Sequence, residues 1–215
     1  MVEAFFVMKT ILIGTPIHEC KEYGIARWLK SVSELHGDWF LYMVDNSDTP
    51  HFCDRVRNSC KELGIINYEL LHLENMRGLE SEARLAPSRE KIREKLLYGD
   101  YEHWFSWECD IILPPETLEI MMEWFPRFDI VNHNYPDREN SVLEVGGIGC
   151  SIYKREIVER FSFLEGGGYA QCDKRMPNNY FSGDSYLVFR ALWAGYKMID
   201  FHNLFKCEHL GEGGD

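Results

Sequence analysis

Short β-rich runs and helix-like segments alternate along the first 126 residues, and this alternation limits the fold more than any other feature. The runs "TILIG" (10–14) and "WFLYMVD" (39–45) are rich in β-branched and aromatic residues. Between them, apolar residues recur at helical spacing, at Ile25, Trp28, Leu29, Val32 and Leu35. Strands that are joined by helices usually pair in parallel. The order therefore predicts an α/β protein with a mostly parallel central sheet flanked by helices.

The alternation continues to residue 126 and becomes looser beyond it. The further predicted segments are a helix over 53–63, a strand over 64–73, a helix over 88–99, a strand over 103–113 and a helix over 114–125. In the second half, 128–135 predicts a strand, and 184–198 predicts a helix and a last strand. Residues 164–182 contain three glycines, a proline and two asparagines, so we expect a functional loop there. A length of 215 residues suits a single domain over 1–215.

Two carboxylates interrupt the apolar stretch "HWFSWECDIILPP" (103–115). Its alternating pattern predicts one strand, in which Glu108 and Asp110 point to the same face. Their Cα atoms would then be about 6.5 to 7 Å apart. Carboxylates are costly to bury unless a cation pairs with them. The stretch therefore predicts a metal site.

The charge balance bears on the kind of partner. The chain has 23 Lys and Arg residues against 35 Asp and Glu residues, which gives a formal net charge of −12. A nucleic-acid binder needs a basic surface to displace phosphate counterions. We therefore expect no nucleic-acid partner, whereas a phosphate compound can still bind where a metal or a few arginines supply local positive charge.

The cysteines and the apolar runs indicate in which cellular compartment the protein is expected. Seven cysteines occur without any C-x-x-C pair, as is typical of reduced thiols in the cytoplasm. We interpret the opening "MVEAFFVMKTILIG" as a first strand and not as a signal peptide. No run reaches the roughly 18 apolar residues that a transmembrane helix needs, so we expect no transmembrane segment. Peripheral contact with a membrane stays open.

Polar residues follow several predicted strands, where ligands of open α/β sheets bind. The segment after the first strand reads "GTPIHE" and lacks the G-x-G-x-x-G fingerprint, which argues against a dinucleotide fold.

Five segments resemble glycosyltransferases of the GT-A fold, and among them the large group usually called family 2. "ILIGTPIHE" (11–19) is similar to the family's first strand and nucleotide loop, and "YMVDNSDT" (42–49) to its V-D-N/D-x-S-x-D segment. Residues 88–119 resemble the arginine helix, the D-x-D metal motif and the proline-led helix after it. "SGDSYLVFRALWAGYKM" (182–198) resembles the E-D…R…G-Y segment, and "CEHLG" (207–211) the C-terminal metal histidine. The resemblance implies a single-domain GT-A, Rossmann-like fold with a nucleotide-binding half (about 1–126) and an acceptor-side half (about 127–215).

The resemblance also implies roles for individual residues on the donor side. It implies a base and ribose pocket lined by Thr15, Pro16, Glu19 and Asp45. Arg89 would reach the base or the diphosphate of a UDP- or GDP-sugar.

A further set of residues matches the metal and acceptor positions of the family. Asp110 and His209 would bind a divalent metal, Mn²⁺ or Mg²⁺, and Glu108 would contact the ribose or the metal. Asp184 would be the catalytic base of an inverting reaction. Gly146 and Gly147 resemble the substrate-binding loop where donor and acceptor sugars meet. The chain departs from the family in having Glu108 for the first Asp and Gly183 for the acidic residue before the base.

Simpler structural roles stay open for several of these residues. Asp110 would serve equally as a helix cap, Asp184 as an N-cap, and His209 as a surface residue near the terminus. Arg89 would also be explained by ion pairs along its helix.

The sequence therefore predicts a metal-dependent glycosyltransferase of the hexosyltransferase type, acting on an acceptor glycan, lipid or protein. Two alternatives stay open: a nucleotidyltransferase that makes sugar nucleotides, and a non-catalytic carbohydrate-binding scaffold of the same fold. A nucleotidyltransferase usually carries a glycine-rich, lysine-bearing first loop, which "GTPIHEC" (14–20) lacks.

Overall fold

Nine strands and six α-helices lie within the residues that the structure describes. The structure is a computed structural model that describes residues 11–79, 81–135, 149–164 and 183–211, with only the backbone described for residues 82 and 183–186. The strands are β1 (Ile11–Ile17), β2 (Trp39–Asp45), β3 (Tyr68–His72), β4 (His103–Trp107), β5 (Ile111–Ile112), β6 (Ile130–His133), β7 (Cys150–Lys154), β8 (Met198–Phe201) and β9 (Glu208–His209). The helices are α1 (Glu22–Glu34), α2 (His51–Glu62), α3 (Ser81–Tyr98), α4 (Thr117–Met122), α5 (Arg155–Arg160) and α6 (Gly183–Trp193).

Seven of these strands form one sheet in the order β3-β2-β1-β4-β7-β6-β8. Parallel pairing joins β3, β2, β1 and β4, and it also joins β6 to β8. Strand β7 is antiparallel to both of its neighbours, β4 and β6. This arrangement confirms the predicted mixed α/β fold with a mostly parallel central sheet.

Helices cover both faces of the sheet because neighbouring residues of its strands point in opposite directions. On one face, Ile11 and Ile13 of β1 pack into a cluster with residues of α1, α2 and α4, such as Trp28. On the other face, Leu12 packs into a second cluster with residues of α3, α5 and α6, such as Ile92. Both clusters contain residues from before and after 126, so both predicted halves contribute to one layered structure.

The helix boundaries differ most from prediction in α3. The sequence predicted a start at Ser88, directly after Pro87, whereas the helix begins at Ser81 and includes Pro87. Proline cannot donate a helical hydrogen bond, which is why it resembles a helix start in the sequence. The earlier start brings Arg84 onto the helix.

Six described cysteines, at positions 20, 53, 60, 109, 150 and 207, are free thiols. None of the described helices is long and apolar enough to cross a membrane.

Gly14 lets β1 lie directly against a tryptophan. Its carbonyl accepts a hydrogen bond from Trp104 Nε1 at 3.1 Å. A Cβ atom at this position would lie 2.6 Å from Trp104 Nε1 and closer still to Ile92 Cγ2. Both neighbours are fully buried and cannot move aside freely.

Gly14→Ala should therefore lower the free energy of unfolding by about 1–3 kcal/mol, the usual cost of overpacking a core. Urea denaturation of both proteins measures this difference. Gly211→Ala is the matched control, because a Cβ there meets nothing within 4 Å, and its stability should stay close to that of the parent. An unchanged denaturation midpoint for Gly14→Ala would contradict the packing argument.

Candidate functional site

A cavity of about 460 Å³ lies at the carboxyl ends of β1 and β4. Four segments line it: the end of β1 with the turn after it (residues 16–18, 20 and 21), Asn46 after β2, the first half of α3, and residues 106–110 at and beyond the end of β4. This is the edge at which open α/β sheets bind their ligands. The segments that the sequence marked as the nucleotide loop and the metal motif thus meet at one cavity.

The two carboxylates of the metal motif lie in a turn and not in the long strand that the sequence predicted. Strand β4 ends at Trp107, and the backbone N–H of Ile111 donates to the carbonyl of Glu108 at 3.1 Å. The chain turns there because its pairing changes, since β4 pairs with β1 and β7 whereas β5 pairs with β9. Two short strands on either side of a turn give the same alternating pattern as one long strand, so the prediction of a continuous strand was wrong.

The turn nevertheless brings together the three residues predicted to bind a metal. Ligand atoms of Glu108, Asp110 and His209 all lie within 4.8 Å of one another. His209 reaches this place because β9 pairs with β5, with His209 opposite Ile111. The backbone N–H of Leu210 donates to the carbonyl of Asp110 at 2.8 Å and holds the two segments together.

The chemistry of these atoms fits a divalent cation. His209 Nε2 lies 3.6 Å from Asp110 Oδ2, and two atoms about 2.1 Å from one ion can be that far apart. Carboxylates and water suit Mg²⁺ or Mn²⁺, and the imidazole favours Mn²⁺ of the two. Asp110 is fully buried, and a carboxylate without water needs positive charge or hydrogen-bond donors near it.

The structure shows one cation at Asp110 that the sequence analysis missed. Lys21 Nζ donates a hydrogen bond to Asp110 Oδ2 and forms an ion pair with it. The hydroxyl of Tyr23 donates to the same oxygen at 3.2 Å. Lys21 also lines the cavity, and 27% of its side chain is exposed. In the sequence, only its position four residues after the end of β1 indicated that Lys21 could lie near the site.

Thr15, Pro16 and Glu19 lie on the β1 side of the cavity in different environments. Pro16 lines the cavity. Thr15 is fully buried, and its hydroxyl donates to the carbonyl of Trp107 at 2.8 Å, which ties β1 to the end of β4. Glu19 begins a short 3₁₀ turn, and its backbone N–H donates to Ser47 Oγ at 2.8 Å. Only Pro16 of the three is among the described lining residues, and the nucleotide contacts of the other two stay predictions.

Asp45 has internal partners at the end of β2. Its Oδ1 accepts from the backbone N–H and the hydroxyl of Ser47, at 3.0 and 2.6 Å. Its Oδ2 accepts from Cys53 Sγ at 3.1 Å and lies 2.7 Å from His72 Nδ1. Burial, together with the hydrogen bond to Asp45, raises the pKa of the Cys53 thiol to about 12. Asp45 thus links β2, β3 and α2, and its neighbour Asn46 lines the cavity instead.

Two arginines of α3 line the opposite side of the cavity. Arg89 is 3% exposed and lines the cavity, and its contact with a donor stays a prediction. Arg84, which the sequence analysis missed, forms an ion pair with Asp48 at 2.8 Å and donates to the carbonyl of Asn46 at 3.0 Å. Its Nη1 also lies 2.9 Å from His18 Nε2. Burial and the charge of Arg84 lower the pKa of His18.

The acceptor-side residues lie mostly outside the described part of the chain. Gly146 and Gly147 are not among the described residues. The backbone of Asp184 lies in the first turn of α6, which begins one residue earlier at Gly183, but its side chain is not described. The predicted role of Asp184 as the base stays a prediction.

Comparisons with known proteins place this geometry in context. No protein-family model and no curated protein matches the chain. Among solved structures, the mannosyltransferase PcManGT from Pyrobaculum calidifontis, in complex with GDP-Man and Mn²⁺, superposes with a TM-score of 0.62 at 17% identity. S. aureus TarS 1-349 in complex with UDP-GlcNAc gives 0.59 at 14% identity, and glucosyl-3-phosphoglycerate synthase from Mycobacterium tuberculosis gives 0.57 at 12% identity.

These superpositions cover 91% to 95% of this chain. The chain spans 35% of the length of TarS, 55% of PcManGT and 73% of the synthase. Structural similarity at such low sequence identity establishes the fold alone. The chain therefore has the GT-A glycosyltransferase-like fold of nucleotide-sugar transferases, as its sequence predicted.

Proposed function

We propose that this chain is a metal-dependent glycosyltransferase that moves a sugar from a UDP- or GDP-sugar to an acceptor hydroxyl. The observation that carries the proposal is the convergence of Glu108, Asp110 and His209, the first two of which line the cavity. Solved structures of the same fold contain UDP-GlcNAc in one case, and GDP-Man with Mn²⁺ in another. We further propose a cytoplasmic location, because the described cysteines are free thiols.

The residues that line the cavity suit a nucleoside diphosphate. Three cationic side chains, Lys21, Arg84 and Arg89, face two carboxylates, Glu108 and Asp110. The lining has one positive charge in excess, which Asp48 beside Arg84 offsets, and a divalent cation would then give an excess of two. Two phosphates of a departing nucleotide carry a comparable negative charge, so the charges would balance when metal and donor are both bound.

The hard step of such a reaction is the departure of the nucleoside diphosphate. A divalent metal held by Asp110, His209 and Glu108 would supply Lewis-acid stabilisation of the charge on the leaving group. The arginines would orient the diphosphate, since a guanidinium offers several fixed donors to phosphate oxygens. In an inverting reaction, Asp184 would take the proton of the acceptor hydroxyl as that oxygen attacks the sugar.

The second substrate, the sugar acceptor, is proposed only by its chemical class. It would present a hydroxyl, on a glycan, a lipid or a protein, and a lipid acceptor would bring peripheral membrane contact. Residues 127–215 are proposed as the acceptor-side half, and the loop predicted over 164–182 lies, apart from residue 164, outside the described residues.

Thermal unfolding with added nucleotides tests the donor class before any acceptor is known. A ligand at about a hundred times its dissociation constant stabilises the native state by roughly 2.7 kcal/mol. In a domain of this size, each kcal/mol raises Tm by about 2–4 °C. UDP or GDP with Mn²⁺ should therefore raise Tm by about 5–11 °C.

The controls for this experiment separate the alternatives. Nucleotide alone or Mn²⁺ alone should shift Tm much less, because each strengthens the binding of the other. NAD should have little effect, since the dinucleotide fingerprint is absent from the loop after β1. Equal shifts with and without Mn²⁺ would contradict the metal-bridged diphosphate. No shift with any nucleoside diphosphate, in folded protein, would favour a non-catalytic scaffold.

A further inference from the structure

Lys21 occupies the carboxylate oxygen that a metal would need. It ends the short 3₁₀ turn after β1 and precedes the first residue of α1, so its backbone is held by two helical segments. Its ammonium is paired with Asp110 Oδ2. The same oxygen lies 3.6 Å from His209 Nε2 and accepts from the hydroxyl of Tyr23 at 3.2 Å. The Lys21 ammonium therefore binds the same oxygen atom that a metal ion held by Asp110 and His209 would bind.

An ammonium and a divalent cation cannot share this oxygen without strong repulsion. Both would lie within bonding distance of Oδ2, and the two positive charges would then be only a few ångströms apart. Asp110 is fully buried, so little water is present to weaken that repulsion. Metal binding at Asp110 Oδ2, the oxygen near His209, therefore requires the Lys21 ammonium to leave.

The cavity offers the displaced ammonium a new position. Lys21 already lines the cavity with Arg84 and Arg89, and part of its side chain is exposed. A lysine carries a point charge on a flexible stem of four carbons, so its ammonium can change partners while its backbone stays fixed. Arg84 is less free to do so, because Asp48 and two backbone carbonyls hold its guanidinium.

We propose that Lys21 is an exchangeable counter-ion, which neutralises Asp110 in the ligand-free protein and binds the diphosphate of the donor once a divalent metal has taken its place. This inference rests on the proposed function and adds a residue and an order of events to it. A metal without nucleotide must displace the ammonium and leaves it without a new anionic partner. A metal that arrives with a nucleoside diphosphate gives the ammonium a new anionic partner. Lys21 thus couples the binding of metal and nucleotide.

Lys21→Met tests the proposal because it removes the ammonium and keeps a stem of similar length. Mn²⁺ binding to the nucleotide-free protein, followed by electron paramagnetic resonance of free Mn²⁺, should become about tenfold tighter. Binding of UDP or GDP at saturating Mn²⁺, followed by calorimetry, should become about tenfold weaker. The two changes have opposite signs, which a general loss of folding cannot produce.

Lys30→Met is the matched control for charge. Lys30 lies on α1, its side chain is 67% exposed, and its carboxylate partner is Glu34. The substitution removes the same net charge far from Asp110, so both affinities should stay close to those of the parent.

Asp110→Asn supplies the second comparison. In that background residue 110 has no charge for the ammonium to neutralise, so adding Lys21→Met should no longer tighten Mn²⁺ binding. An effect of Lys21→Met on Mn²⁺ that persists in Asp110→Asn would overturn the proposed competition.

The outcomes distinguish this inference from the proposed function. If the parent protein binds Mn²⁺ and nucleotide together, and Lys21→Met binds Mn²⁺ no more tightly, the counter-ion role is refuted while the proposed function stands. If neither protein binds Mn²⁺ or nucleotide, the proposed function fails and the inference fails with it.

Discussion

Asp110→Asn should lower metal-dependent sugar transfer by about 10²–10³-fold, the range typical of removing one group that stabilises charge in the transition state. The substitution keeps the shape of the side chain but removes its charge. Asp110 lies between Lys21 and His209, so the charge that it loses is the one that both of them face. Steady-state turnover of a UDP- or GDP-sugar as a function of Mn²⁺ concentration measures the effect.

The fold should survive this substitution. An asparagine can still accept the hydrogen bond from Tyr23, and the backbone bond between Leu210 and residue 110 does not depend on the side chain. Asp54→Asn is the matched control, because Asp54 is exposed on α2 and its partner there is Arg57. It should keep full activity. Full activity of Asp110→Asn, with unchanged dependence on Mn²⁺, would remove Asp110 from the metal site.

The sheet could be predicted from the sequence because its strands are buried on both faces. Leu12 enters one core cluster and its neighbours Ile11 and Ile13 enter the other, so β1 appears as a continuous apolar run. The helices between the strands repeat their apolar residues at helical spacing for the same reason. Burial on both faces thus gives each strand and helix a recognisable apolar pattern in the sequence. The order of these elements then predicts the parallel pairing.

The turn at Glu108 could not be predicted in the same way. Side chains on the two short strands around it alternate as they would on one long strand. The two strands differ only in the strands with which they pair. Strand β5 pairs with β9, almost a hundred residues later. A local pattern has no information about a partner so distant in sequence.

The charged residues of the cavity show the same limit. Asp110 was predicted from the carboxylates in an apolar stretch, and His209 and Arg89 were predicted because segments of the chain resemble known motifs. Lys21 and Arg84 match no motif, and either would suit a solvated helix end. Their place at the cavity depends on where Asp110, Asp48 and Asn46 lie in the folded chain. Side chains that act through distant partners are therefore the ones that the sequence left unassigned.

Asp184→Asn should lower sugar transfer by about 10²–10⁴-fold, the usual contribution of a general base. The substitution should leave the fold intact. Asp184 lies in the first turn of α6, which Leu187, Val188 and Ala191 anchor in the core. A carboxylate in the first helical turn stabilises a helix by about 0.3–1 kcal/mol through the helix dipole, so the loss of its charge has only a small effect on stability.

Two measurements separate a base from a residue that merely starts a helix. Binding of UDP or GDP with Mn²⁺ should stay within a few-fold of the parent, because the proposed base acts on the acceptor and not on the nucleotide. The pH dependence of kcat/KM should lose its acidic limb, since the group that must be deprotonated is gone. Asp100→Asn, at an exposed position after α3, controls for the loss of one negative charge. Turnover of Asp184→Asn within a few-fold of the parent would assign Asp184 to helix initiation, and the base would then have to come from another residue of the acceptor side.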